Sequence, residues 1–100
     1  MKKENSSKNP VVGVGWYTQI QWHKLQRVSA DPEILEESYE AWVEVFIKGC
    51  SMLEKAGIKT VKIPIEVDEF VQWCKQNALA LDADARSRFV TEKLHEINRT

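Results

Sequence analysis

Residues 31–57 read DPEILEESYEAWVEVFIKGCSMLEKAG, and the fold turns on them. Asp31 followed by Pro32 puts a capping residue before a proline at the first helical position, a good helix opening. Nothing interrupts the segment until Gly57, which suits the left-handed residue that ends a helix. The pattern predicts one helix over 32–56, about seven turns long. Gly49 lies inside it at a cost of about 1 kcal/mol relative to alanine, and is expected to admit a close neighbour. At about 100° per residue, the apolar positions 34, 35, 39, 41–43, 45–47, 50, 52, 53 and 56 cover roughly two-thirds of the circumference. A surface helix needs a narrower stripe. This helix is therefore expected to be central, packed on two sides, or to pack against a second copy. Its remaining face carries Glu33, Glu37, Glu40, Glu44 and Lys48.

Downstream, Lys59–Val67 (KTVKIPIEV) alternates: Val61, Ile63, Ile65 and Val67 face one way, Thr60, Lys62, Pro64 and Glu66 the other. A period of two marks a half-buried strand. Pro64 has no N–H for a ladder, which makes the strand an edge on at least one side. A lone strand leaves its backbone groups without partners. It must pair with the β-branched segment Val11–Trp16 (VVGVGW) or with a strand from another chain.

Three more helices are expected. The first spans about 19–29, where Thr18 and Gln21 form a capping box and Tyr17 and Trp22 occupy the places of a hydrophobic staple. It should bury Ile20, Trp22, Leu25 and Val28. Asp68 caps a helix over about 69–78 with Phe70, Val71, Trp73 and Cys74 inward. Asp82 caps a last helix over about 83–98 with Phe89, Val90, Leu94 and Ile97 inward. The expected fold is α+β, mainly α: about four helices packed around a long central helix, with one or two short edge strands. Residues 1–10 (MKKENSSKNP) have nothing to bury and read as a disordered basic tail. Residues 11–100 then form a single globular domain.

One hundred residues support one core and not two. With 43% hydrophobic and 29% charged residues, the chain is neither collagen-like, disulfide-rich nor wholly disordered. Cys50 and Cys74 fit no zinc spacing and read as two reduced, buried thiols, which favours the cytoplasm. No apolar run is long enough for a signal peptide or a membrane span, so no membrane partner is expected.

The net charge of −1 conceals a polarised chain: residues 1–30 carry +4, residues 31–48 carry −5, and the rest balances. Glu33, Glu37, Glu40 and Glu44 place like charges about one helical turn apart, which is mildly unfavourable. A row kept at a cost points to a basic partner, either the chain's own N-terminal segment or another molecule, with mimicry of a nucleic acid as a further version of this. Trp16, Tyr17 and Trp22 cluster where the chain enters its first helix, and aromatic residues of this kind anchor interfaces. These seven residues are the candidate interaction residues.

Other chemistry finds little footing. His23 and His95 have no second histidine or carboxylate at metal-helix spacing. Gly13-Val14-Gly15 lacks the third glycine of a phosphate loop, since Thr18 stands there, and no Walker lysine follows. Asp82 and Asp84 begin like a calcium loop, but Arg86, Ser87 and Lys93 fill positions that need an oxygen ligand, a glycine and a glutamate. No serine sits in a nucleophile elbow. No cofactor and no metal are expected, and an enzyme with a Cys/His centre is the least favoured alternative. The helices over 69–78 and 83–98 are ordered like a helix-turn-helix, with Arg86, Arg88, Lys93 and Arg99 as candidate nucleic-acid contacts. Residues 82–100 nevertheless carry no net charge, and the connector exceeds the usual short turn. Pairs Arg88–Glu92 and Glu96–Arg99 fit a solvated helix face better. The leading expectation is a non-enzymatic protein–protein interaction or homodimerisation module, its partner a second copy or a protein with a basic surface. The alternative is a nucleic-acid-associated regulator.

Overall fold

The computed structural model describes residues 10–99, and side chains as far as Ile97. Apart from Pro10, the expected tail over 1–10 lies outside the described residues, as does the Arg99 side chain. The elements run β1 (Val11–Trp16), α1 (Gln19–Val28), a 3-10 turn (Pro32–Ile34), α2 (Tyr39–Lys55), β2 (Lys59–Pro64), α3 (Val67–Gln76) and α4 (Ala83–Arg99). This is a mainly-α α+β fold, as expected.

β2 pairs in parallel with β1, in register from Val11 opposite Lys59 to Trp16 opposite Pro64. Parallel strands need a long crossover, and α1 and α2 together supply it. The alternation holds from Lys62 onward, where Ile63, Ile65 and Val67 are buried and Lys62, Pro64 and Glu66 are exposed, while Thr60 and Val61 are both half-buried and the strand itself ends at Pro64 rather than Val67. The internal partner satisfies β2, so no strand from another chain is required. Gly13 and Gly15 lie in β1, where α4 crosses closely. A β-carbon on Gly15 would sit 3.0 Å from Val90, and one on Gly13 would sit 3.3 Å from Ile63 and Val90. These glycines make room for a helix; they do not form a turn that cradles phosphate.

Two capping residues act away from their own helices. Thr18 Oγ1 accepts from Gln21 N (3.3 Å), as the capping box requires. The Gln21 side chain instead reaches α3, where Oε1 accepts from Val67 N (2.7 Å) and Nε2 donates to Glu66 Oε1 (3.2 Å). That contact starts α3 at Val67, ahead of the expected Asp68 cap, and Asp68 pairs with Lys24 at 3.1 Å. Asp31 likewise leaves its own segment. Its carboxylate accepts from Arg86 Nη1 and from Ala83 N, both at 2.9 Å. Pro32–Ile34 therefore makes only a 3-10 turn, and Leu35 is already extended. The long helix begins at Tyr39, where Ser38 Oγ accepts from Ala41 N (3.1 Å). It ends as expected at Gly57, with φ +83°.

The core lies between the sheet, α1, α3 and α4. Trp22, Phe70, Leu25, Ile63, Val67 and Cys74 are its fully buried side chains. Tyr17, Ile65, Ala85, Phe89, Val90 and Leu94 complete it. The long helix is not central. α2 contributes no buried residue and touches the core only through half-buried Tyr39 and Trp42. Its start is displaced: with Asp31 bound to α4, the helix begins at Tyr39 and packs on the core through Tyr39 and Trp42 in its first turns. The close neighbour expected at Gly49 is not found among the described residues, since nothing lies within 4 Å of a β-carbon there. Ile20 and Val28, expected inside, are 71% and 39% exposed.

Substituting the two kinds of glycine should give opposite results. Gly15→Ala overpacks the sheet against Val90 and should lower stability by about 1–3 kcal/mol, whereas Gly49→Ala should raise it by about 1 kcal/mol. Denaturant melts read both. The Arg86 hydrogen bond, aided by the Ala83 N–H, holds the Asp31 carboxyl below its usual range against partial burial. A depressed folded-state pKa stabilises above the unfolded value and ceases to as pH falls through the folded value. Asp31→Asn should therefore lower Tm at neutral pH and flatten the loss of Tm on acidification, as pH-dependent thermal melts would show.

Candidate interaction surface

α2 meets the rest of the molecule chiefly through aromatic rings, and in its last turn Glu54 Oε2 accepts from Thr60 Oγ1 of β2 at 3.3 Å. Trp42 lies 5.1 Å from Trp16, 5.5 Å from Tyr17, 5.6 Å from Tyr39 and 5.5 Å from Phe46 between centroids. Phe46 sits edge-on to Trp16 at 5.0 Å. Tyr39 Oη donates to the Tyr17 carbonyl (2.9 Å), tying the start of α2 to the end of β1. Lys62 caps the outer side of the cluster, its Nζ 4.3 Å from the Trp16 ring centre. The aromatic candidates are thus engaged internally. Trp22 is fully buried, Tyr17 nearly so, and Trp16 is half-buried between Trp42 and Phe46. None of the three stands out as a free anchor.

The breadth of the apolar arc on α2 has another outlet. Tyr39, Trp42 and Phe46 use one side of the helix, and the rest of the arc is open. Val45 is 52% exposed, Ile47 60% and Met52 70%. Helical spacing separates them: Val45 and Met52 share a flank with Ala41, Gly49 and Ala56, while Ile47 lies on the other flank. The sequence carried the signal for this surface as an arc too wide for one contact. Which part of the arc stays open depends on where the ring cluster grips.

The acidic candidates are exposed but form no single row. Glu33 belongs to the 3-10 turn and Glu37 to the connector, so only Glu40 and Glu44 lie on α2. The expected one-turn repeat of four carboxylates breaks where the helix fails to start. None of the four carboxylates engages a cation among the described residues.

Three of the four basic candidates, Arg86, Arg88 and Lys93, are already paired. Arg86 meets Asp31 at 2.9 Å, with side chains only 13% and 18% exposed. Arg88 faces Asp84 at 3.7 Å, not Glu92. Lys93 bridges Glu69 on α3 and Glu96 at 3.8 Å. Asp82 caps α4, accepting from Ala85 N at 3.0 Å. Cys74 is buried, and desolvation, followed by the charge of Asp82, pushes its thiol pKa up. Cys50 is only half-buried, against the expectation of two buried thiols. His23 is exposed and contacts Gln26 through Nδ1 at 3.1 Å.

A groove of about 430 Å³ runs between β1 and α4, walled on the helix side by Ser87, Thr91 and His95. Their spacing of four was visible in the sequence and not singled out. Thr91 Oγ1 donates to the Ser87 carbonyl (3.1 Å), and Ser87 and His95 lie two turns apart, so no hydroxyl is presented to the imidazole. Among the described residues no three His, Cys, Asp or Glu side chains are grouped to hold a metal ion. No described helix is long and apolar enough to cross a membrane. Comparison of the chain with models of known families, with curated proteins and with solved structures gives no match.

Tyr17 joins the groove to the core, and burial raises its phenol pKa to about 12 against the opposing field of Arg86. A raised folded-state pKa stabilises fully below the unfolded value near 10 and ceases to as pH climbs through about 12. Over that window Tyr17 should account for a loss of about 3 kcal/mol. Tyr17→Phe should remove this part of the alkaline unfolding slope, read by denaturant melts at a series of alkaline pH values.

Proposed function

We propose that the chain is a non-enzymatic protein–protein interaction module acting through α2, with a second copy or a protein with a basic surface as partner. The carrying observation is the exposure of Val45 and Met52 along one flank of a helix without one buried residue. Large apolar side chains grouped on one exposed element mark contact sites more often than scattered ones do. The carboxylates Glu40 and Glu44 beside them, which meet no cation among the described residues, favour a partner, or part of one, that brings cations. The pairing of Arg86, Arg88 and Lys93 with carboxylates leaves the nucleic-acid alternative without an observation in its favour. A catalytic role has none either.

Sedimentation velocity from micromolar to millimolar concentration tests the proposal, run alone and with poly-lysine at physiological ionic strength. Concentration-dependent self-association, or co-sedimentation with poly-lysine, is the expected result. An unchanged monomer in both arms would overturn it.

A further inference from the structure

Resting on the interaction role proposed above, we infer that the partner of α2 is α2 of a second copy, packed antiparallel about a two-fold axis near Lys48 and Gly49. Ala41, Val45, Gly49, Met52 and Ala56 follow one another at steps of four, four, three and four residues. At helical spacing these steps trace a seam along one flank. Gly49 opens onto empty space there, so a second helix can approach the backbone closely. An antiparallel mate places Val45 against Met52 of the partner and Ala41 against Ala56 of the partner. A two-fold axis repeats both contacts.

Charge decides the direction. In its first half α2 carries Glu40 and Glu44 and no base, and from Val45 to Lys55 it carries Lys48 and Lys55 against Glu54 alone. A parallel pair would set acid on acid and base on base. The antiparallel pair sets the acidic start of each helix beside the basic end of its mate. In this register Glu44 lies within one turn of Lys55 of the partner chain, on the rim of the seam. Lys48 meets its own mate at the axis, with Glu44 of its own helix one turn away. Ile47, on the opposite flank, stays outside the contact. The seam is short, so the dimer is expected to be weak, forming at micromolar concentration or above.

Sedimentation equilibrium of the full chain tests this with variants on an exposed helix, each checked for an unchanged melting temperature. Val45→Glu puts a carboxylate into the seam twice by symmetry and should raise the dimer Kd about 100-fold. Ile47→Glu should leave it unchanged. Glu44→Lys should raise Kd about fivefold, and the double variant Glu44→Lys with Lys55→Glu should restore it. A monomer that co-sediments with poly-lysine overturns the second copy and leaves the interaction role standing. A dimer indifferent to Val45→Glu overturns the α2 seam and leaves self-association standing. A dimer weakened by Glu44→Lys but not restored by the charge swap overturns the antiparallel pairing.

Discussion

Asp31 holds two groups from a distant helix at once, and the arrangement of the rest follows. Its carboxylate binds the Arg86 guanidinium and the Ala83 N–H at the start of α4. Ala30 N donates to the Leu81 carbonyl beside it at 2.8 Å, and Arg86 also reaches Ser29 Oγ at 3.4 Å. The exit of α1 is thereby fastened to the entry of α4. Hydrogen bonds to a charged group are stronger than neutral ones, and partial burial reduces screening. A carboxylate placed to open its own helix is more stabilised by a cation and a free helix N–H elsewhere.

That choice passes along the chain. Without Asp31, the segment from Pro32 to Leu35 makes a single tight turn, and α2 waits for Ser38 to cap it. α2 does not run through the middle of the molecule, and none of its residues is buried. It leans on the sheet through the rings of Trp16, Tyr17, Tyr39, Trp42 and Phe46, and its far side is left to solvent. Meanwhile α4, positioned by the same contact, lies close on Gly13 and Gly15 of β1. The buried core forms on that side, and the open apolar surface forms on the other.

The local signals were legible in the sequence where one segment decides its own conformation. Gly57 ends α2 in the left-handed region, Thr18 and Asp82 cap α1 and α4, and the period of two in 59–67 sorts buried from exposed side chains from Lys62 onward. The signals misled where a side chain had a better partner far away. Gln21 and Asp31 both look like local caps and both serve another helix. The left-handed turn at Ala78, φ +55°, gave no warning because alanine rarely adopts it. The glutamate row from 33 to 44 was a row only while one continuous helix was assumed.

Composition and periodicity alone determined the class, mainly α with a small sheet, because apolar residues recur at helical spacing in most segments and at a spacing of two in residues 59–67. They also determined that α2 has more apolar surface than a surface helix uses. Only the tertiary structure decided which strand partners β2, which helix becomes the periphery, and which flank of α2 stays open. Those outcomes depend on contacts such as Asp31 with Arg86, separated by 55 residues. Periodicity records the face of a helix that avoids water; it does not record what covers it.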